Sequence, residues 1–83
     1  MANIVIYTTG YCPYCVRAKA LLKRKSQTFT EINAEDDTVR EAMIVKAGGR
    51  RTVPQIFIDE VHVGGCDDLY ALEKSGKLDA LLV

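Results

Sequence analysis

The sequence predicts an α/β fold: a four-stranded mixed sheet with helices on both faces, in the order β-α-β-α-β-β-α. Three observations predict it. Asn3–Tyr7 and Gln55–Asp59 are short apolar runs with the length of buried strands. Stretches with helical apolar spacing separate the first three strand candidates, so the opening β-α-β unit is parallel with a right-handed crossover. The last two strand candidates lie too close together for a crossover and form a hairpin.

Asn3–Tyr7 is apolar on both faces through Ile4, Val5 and Ile6, which suits a central strand. Thr8-Thr9-Gly10 ends it. The first helix is expected over Pro13–Lys25. Proline suits a first helical position, and Cys15, Ala18 and Leu22 recur at helical spacing beside Leu21. Five cations (Arg17, Lys19, Lys23, Arg24, Lys25) are expected to form a solvated face, two of them near the negative end of the helix dipole. Thr28–Ile32 alternates apolar and polar and reads as the second strand. Glu35-Asp36-Asp37 places acids at the start of a second helix, Asp37–Ala47, which Gly48-Gly49 ends. Gln55–Asp59 is the third strand, a tight turn follows at Glu60, and Val61–Val63 is the fourth, ended by Gly64-Gly65. A third helix is expected over Asp67–Lys74. Leu78, Leu81 and Leu82 suggest a last helical turn packed on the core.

Eighty-three residues suit one small domain, 1–83. Eleven Lys and Arg cancel eleven Asp and Glu, which argues against a protein built to grip nucleic acid or an anionic membrane. No apolar run approaches the roughly 18 residues of a membrane span. No secretory signal is visible, so a cytoplasmic location is expected. Three cysteines are too few, and odd in number, for a disulfide framework, and the Cys12-x-x-Cys15 pair points to redox or metal chemistry.

Cys12-Pro13-Tyr14-Cys15 follows a strand and opens a helix. Cys12 falls at the helix N-cap, where free N–H groups and the dipole stabilise an anion, so its thiol pKa should fall below the free value of about 8.5. Cys15 lies one turn on, on the same face and pointing inward, within reach of a disulfide. The asymmetry makes Cys12 the attacking thiol and Cys15 the resolving one. A low pKa raises the thiolate fraction but lowers intrinsic nucleophilicity; its clearer benefit is to make Cys12 a good leaving group. Thr52-Val53-Pro54 precedes the third strand. A cis-Pro54 beside the cysteine would leave the Val53 N–H and C=O free to pair with an extended thiol peptide. Gly64-Gly65-Cys66-Asp67-Asp68 opens the third helix. Its amides suit a carboxylate and its acids an ammonium, which together clasp an α-amino-acid head group.

CPYC at 12–15, TVP at 52–54 and GGCDD at 64–68, in this order, resemble a dithiol glutaredoxin of the small bacterial class. The resemblance covers essentially the whole chain. It implies a thioredoxin fold and an enzyme that reduces glutathione mixed disulfides and protein disulfides. Glutathione is then the reducing cosubstrate, with no permanently bound cofactor and no metal. It implies Cys12 as nucleophile and Cys15 as resolving thiol. Tyr14, Thr52, Val53, Pro54, Cys66 (through its backbone), Asp67 and Asp68 would line the glutathione groove. Expected partners are glutathione and disulfide-containing or glutathionylated proteins, acted on by a monomer. One position departs from the family pattern: Thr9 stands where a lysine is common, three residues before the first cysteine. Arg40, Arg50 and Arg51 are the candidates to replace that cation.

Three rival readings compete with this one. Cys12, Cys15, His62 and Cys66 formally supply a Cys₃His zinc set, but Pro13 and the following helix fit an N-cap better than a metal knuckle. His62 is expected to be an exposed strand residue. An iron–sulfur carrier would share the fold, with Pro13 hindering ligation by Cys12. A reductase fed by a flavoenzyme would leave Asp67-Asp68 without a use. Cys66 is expected to be a small buried apolar residue at the helix cap.

Overall fold

The computed structural model describes residues 2–82. The chain forms β1 (Ile4–Thr8), α1 (Pro13–Arg24), β2 (Thr30–Asn33), α2 (Asp37–Lys46), β3 (Gln55–Ile58), β4 (Val61–Gly64), α3 (Cys66–Lys74) and α4 (Leu78–Leu81). The sheet order is β2-β1-β3-β4. β1 runs parallel to β2 and antiparallel to β3, and β3 and β4 form the antiparallel hairpin.

Alternation along the two inner strands builds one core on each face. Ile4, Ile6, Ile56 and Ile58 point to one side and meet Ala18, Leu21 and Leu22 of α1, Leu69 of α3 and Leu78 of α4. Tyr7 and Phe57 point to the other, where Ala34, Met43 and Ala47 cover them. The mixed sheet with helices on both faces is as the sequence predicts. β1 is central because both of its faces are apolar.

β2 starts two residues later than its alternation suggests. The C-terminus of α1 accounts for the shift. Gln27 N–H donates to Leu22 O at 3.0 Å and Ser26 N–H to Lys23 O at 2.9 Å, while Ser26 adopts φ 59°. This is a Schellman closure, and it consumes the residues after the helix before the chain can meet β1. The Val5–Thr30 pair then sets the register. The same closure ends α2 at Gly48 (φ 66°) and α3 at Gly76 (φ 79°).

The cations of α1 are not simply a solvated face. Lys19 pairs with Glu31 at 2.9 Å. Lys25 pairs with Glu73 at 2.7 Å and Asp79 at 3.0 Å, tying the end of α1 to α3 and α4. The Thr8 hydroxyl donates to Glu31 at 2.7 Å, and that bond, with Lys19, holds the Glu31 carboxyl below the usual range. Among the described residues no helix is long and apolar enough to cross a membrane.

The three helix ends make a comparison inside one molecule. A left-handed residue other than glycine costs about 1–2 kcal/mol, of which glycine's looser unfolded chain returns roughly 0.5–1 kcal/mol. Ser26→Gly should therefore stabilise the protein by about 0.5–1 kcal/mol, read as a higher urea midpoint at unchanged m-value. Gly76→Ala should shift the midpoint the other way.

Candidate active site

The loop leaving β1 is pinned before it reaches the first cysteine, because the Gly10 N–H donates to the Glu35 carboxylate. Cys12 then takes the N-cap position in extended conformation, φ −153° and ψ 99°. Pro13, with no N–H to satisfy, fills the first helical position. The Cys12 sulfur accepts the Cys15 N–H at 3.1 Å, so it occupies the place that a capping oxygen usually takes. No acid lies in the first turn of α1 to compete for that positive end. Cys12 and Cys15 are joined as a disulfide, with Cα atoms 5.1 Å apart. Cys15 is 2% exposed, whereas Cys12 is only half-buried.

The Val53–Pro54 bond is cis, as expected. The Val53 carbonyl oxygen lies 3.8 Å from the Cys12 sulfur. Among the described residues no backbone group pairs with the Val53 N–H or C=O. Behind this edge, the fully buried Gln55 amide donates to Thr52 O at 2.9 Å and to its hydroxyl at 3.3 Å. His62 is not the exposed strand residue expected. It is half-buried, its Nε2–H donates to Gln55 Oε1 at 2.7 Å, and its ring lies 5.0 Å from that of Phe57.

A bulge brings the start of α3 to the same place. Ile56 pairs with Gly64 but Phe57 with His62, so Val63 is the extra residue. Gly64 has φ 118°, and a Cβ there would run into the Asp68 carboxylate and lie 2.8 Å from Arg50 Nη1. α3 begins at Cys66, one residue earlier than expected, because Asp68 Oδ2 accepts the Gly65 N–H at 2.9 Å and closes its first turn. The same oxygen pairs with Arg50 Nη1 at 2.9 Å. The Gly65 N–H, then Arg50, hold the Asp68 carboxyl below the usual range. The two acids expected to act alike therefore differ: Asp68 is engaged, while Asp67 is exposed. Cys66 is 4% exposed, and burial pushes its thiol up despite the nearby Arg17 charge.

These parts enclose an open groove of about 320 Å³. Tyr14, Thr52, Val53, Pro54, Cys66, Asp67 and Asp68 all line it, together with Arg50. Of the candidates to replace the cation missing at Thr9, Arg50 alone lines the groove. Arg40 instead donates to the Arg51 carbonyl at 2.9 Å. A second groove, about 370 Å³, lies between Asn3 and Lys46 on the α2 face and holds no cysteine. The formal zinc set does not converge: among the described residues no three His, Cys, Asp or Glu side chains could share a metal.

The sequence profile of the glutaredoxin family matches residues 4–63. A glutaredoxin of Pseudomonas aeruginosa is 57% identical over 82 residues, covering 99% of this chain and 98% of its own. The solution structure of glutaredoxin from Brucella melitensis superimposes with a TM-score of 0.87 at 59% identity, over 99% of this chain and 89% of that one. The crystal structure of a buckwheat glutaredoxin–glutathione complex gives a TM-score of 0.88 at 32% identity, over 98% of this chain and 76% of that one. Identity above one half along almost the whole of both chains assigns this protein to the glutaredoxin family, as a glutathione-dependent thiol–disulfide oxidoreductase of thioredoxin fold.

Proposed function

We propose that Cys12 is the attacking thiolate and Cys15 the resolving thiol, and that the groove holds the glutathionyl part of the substrate. The observation that carries this reading is the Cys12 sulfur itself. Cys12 is half-buried where Cys15 is buried, and its sulfur receives the Cys15 N–H at 3.1 Å and lies 3.8 Å from the unpaired Val53 edge. An N–H and a helix dipole aimed at sulfur favour the anion.

With a glutathionylated protein, the Cys12 thiolate attacks the glutathione sulfur. The old S–S bond breaks and the protein thiolate leaves and takes up a proton. A second glutathione, as thiolate, then attacks the glutathionyl sulfur on Cys12. This releases glutathione disulfide and returns Cys12 as thiolate. With a protein disulfide, Cys12 forms the mixed disulfide and Cys15 displaces the substrate thiol from within, leaving the Cys12–Cys15 disulfide for two glutathiones to reduce. Through both routes the glutathionyl backbone pairs with Val53 as an added strand. The free first-turn N–H groups of α3 take its γ-glutamyl carboxylate and Asp67 its ammonium. Asp68 serves by holding Gly65 and Arg50 in place. In this reading the protein acts as a monomer, with residues 1–83 as one domain. A dithiol that must be kept reduced by glutathione fits the cytoplasm.

Cys12→Ser should abolish turnover in a glutathione-coupled assay on a small mixed disulfide. Cys15→Ser should keep that deglutathionylation while protein-disulfide reduction falls at least tenfold; equal loss of both would make Cys15 structural. Asp68→Asn should raise the glutathione KM severalfold with the fold intact. It also has a pH signature. A carboxylate whose folded pKa is depressed stabilises the protein above the ordinary aspartate range, near 4, and loses that contribution as pH falls through the folded value. The gap in urea midpoint between wild type and Asp68→Asn should be full at pH 6 and should narrow only as pH falls beneath the ordinary aspartate range near 4.

A further inference from the structure

Gln55 carries a hydrogen-bonded path that the thiol chemistry does not itself require. Its side chain is fully buried. Its Nε2 donates to Thr52 O at 2.9 Å and Thr52 Oγ1 at 3.3 Å, so the orientation of the amide is fixed and Oε1 must accept. The partner of Oε1 is His62 Nε2 at 2.7 Å, which therefore carries the proton. A directed chain results, His62 to Gln55 to Thr52, running from the β3–β4 hairpin to the residue before Val53.

The seat of His62 keeps this arrangement. Its ring lies against Phe57, with centroids 5.0 Å apart. Burial, then the Arg50 charge, hold the imidazole below its usual pKa against the opposing pull of Asp68, which keeps it neutral near pH 7. Thr52 itself is exposed, and Val53 beyond it is only half-buried. Val53 packs on the Tyr7–Phe57 core and Pro54 is buried, but the exposed Thr52 is held by the Gln55 amide behind it.

We propose that His62 and Gln55 are positioning residues for the thiol–disulfide reaction: their hydrogen bond fixes the Thr52–Val53 edge at the distance from Cys12 that a glutathionyl backbone needs. This rests on the reading of the groove given above. It adds that the hairpin histidine sets glutathione affinity.

His62→Phe keeps a ring on Phe57 and removes the donor; His62→Gln returns an amide N–H at the reach of Nε2. In a glutathione-coupled assay on a small mixed disulfide, His62→Phe should raise the glutathione KM about five- to tenfold, as one lost hydrogen bond would, with kcat changed less than twofold. His62→Gln should bring the KM back to within twofold of wild type. A wild-type KM in folded His62→Phe, or no rescue by His62→Gln, overturns the positioning role. Asp67→Asn separates the two readings. A raised KM there with a normal one in His62→Phe rejects only the positioning role, whereas a normal KM in both rejects the groove as well. If His62→Phe does not fold, the wild type still decides. S-methylglutathione at saturation should shift the His62 Nε2–H resonance, and no shift overturns the proposal.

Discussion

The architecture turns on a helix that starts where the central strand stops. The first N–H groups of an α-helix have no acceptor within the helix and need one from outside. In α1 that acceptor is sulfur, because Cys12 is the N-cap and the Cys15 N–H points at it. Pro13 removes one donor from the competition. The sulfur is thus placed by the same demand that places the helix. The helix in turn is placed by β1, which lies between β2 and β3 with a core on each face. The Glu35 grip on the Gly10 N–H fixes the short path between them.

The opposite wall obeys a different constraint. Val53 faces Cys12 across the start of β3, and the bulge at Val63 swings Gly64 and Gly65 toward the same groove. Two helix N-termini, those of α1 and α3, therefore meet one cavity. Each carries a partial positive charge, and together they make an anion-attracting site in a chain with no net charge. The acids at 67 and 68 qualify that attraction. A plain dianion meets Asp67 as well as the amides, while a ligand with a carboxylate and an ammonium side by side satisfies both. The wall thus presents charges of both signs and is not a simple positive patch.

Much of this is legible in the sequence because it is local. The helix starts at Pro13 and Asp37 follow from caps and dipoles within a few residues, and the central position of β1 follows from its own apolar composition. The features that escape depend on contacts between distant segments. Lys25 reads as a solvated cation until α1, α3 and α4 assemble around it. His62 reads as an exposed strand residue because nothing near it in sequence reveals Gln55 beneath. The pairing of Arg50 with Asp68 joins residues from a loop and a helix that the sequence separates by a whole hairpin. The late start of β2 had a local signal that is easy to miss: Ser26 performs a turn that usually announces itself as glycine.

Cys12 and Cys66 show how finely a helix start decides reactivity. Both belong to helix N-termini, and both stand beside the same groove. Cys12 is the N-cap, with an extended backbone that turns its sulfur toward the helix amides. Cys66 is one position further in, at the first helical residue, where the side chain turns back into the core with Leu69 and Ile56. The capping task there has passed to Asp68, which holds the Gly65 N–H. Burial then outweighs the attraction of Arg17 and keeps the Cys66 thiol protonated. An offset of one residue relative to the cap thus separates a thiol that meets an N–H dipole from one that meets hydrocarbon. A protein with three cysteines can in this way confine its redox chemistry to two of them without a second protective device.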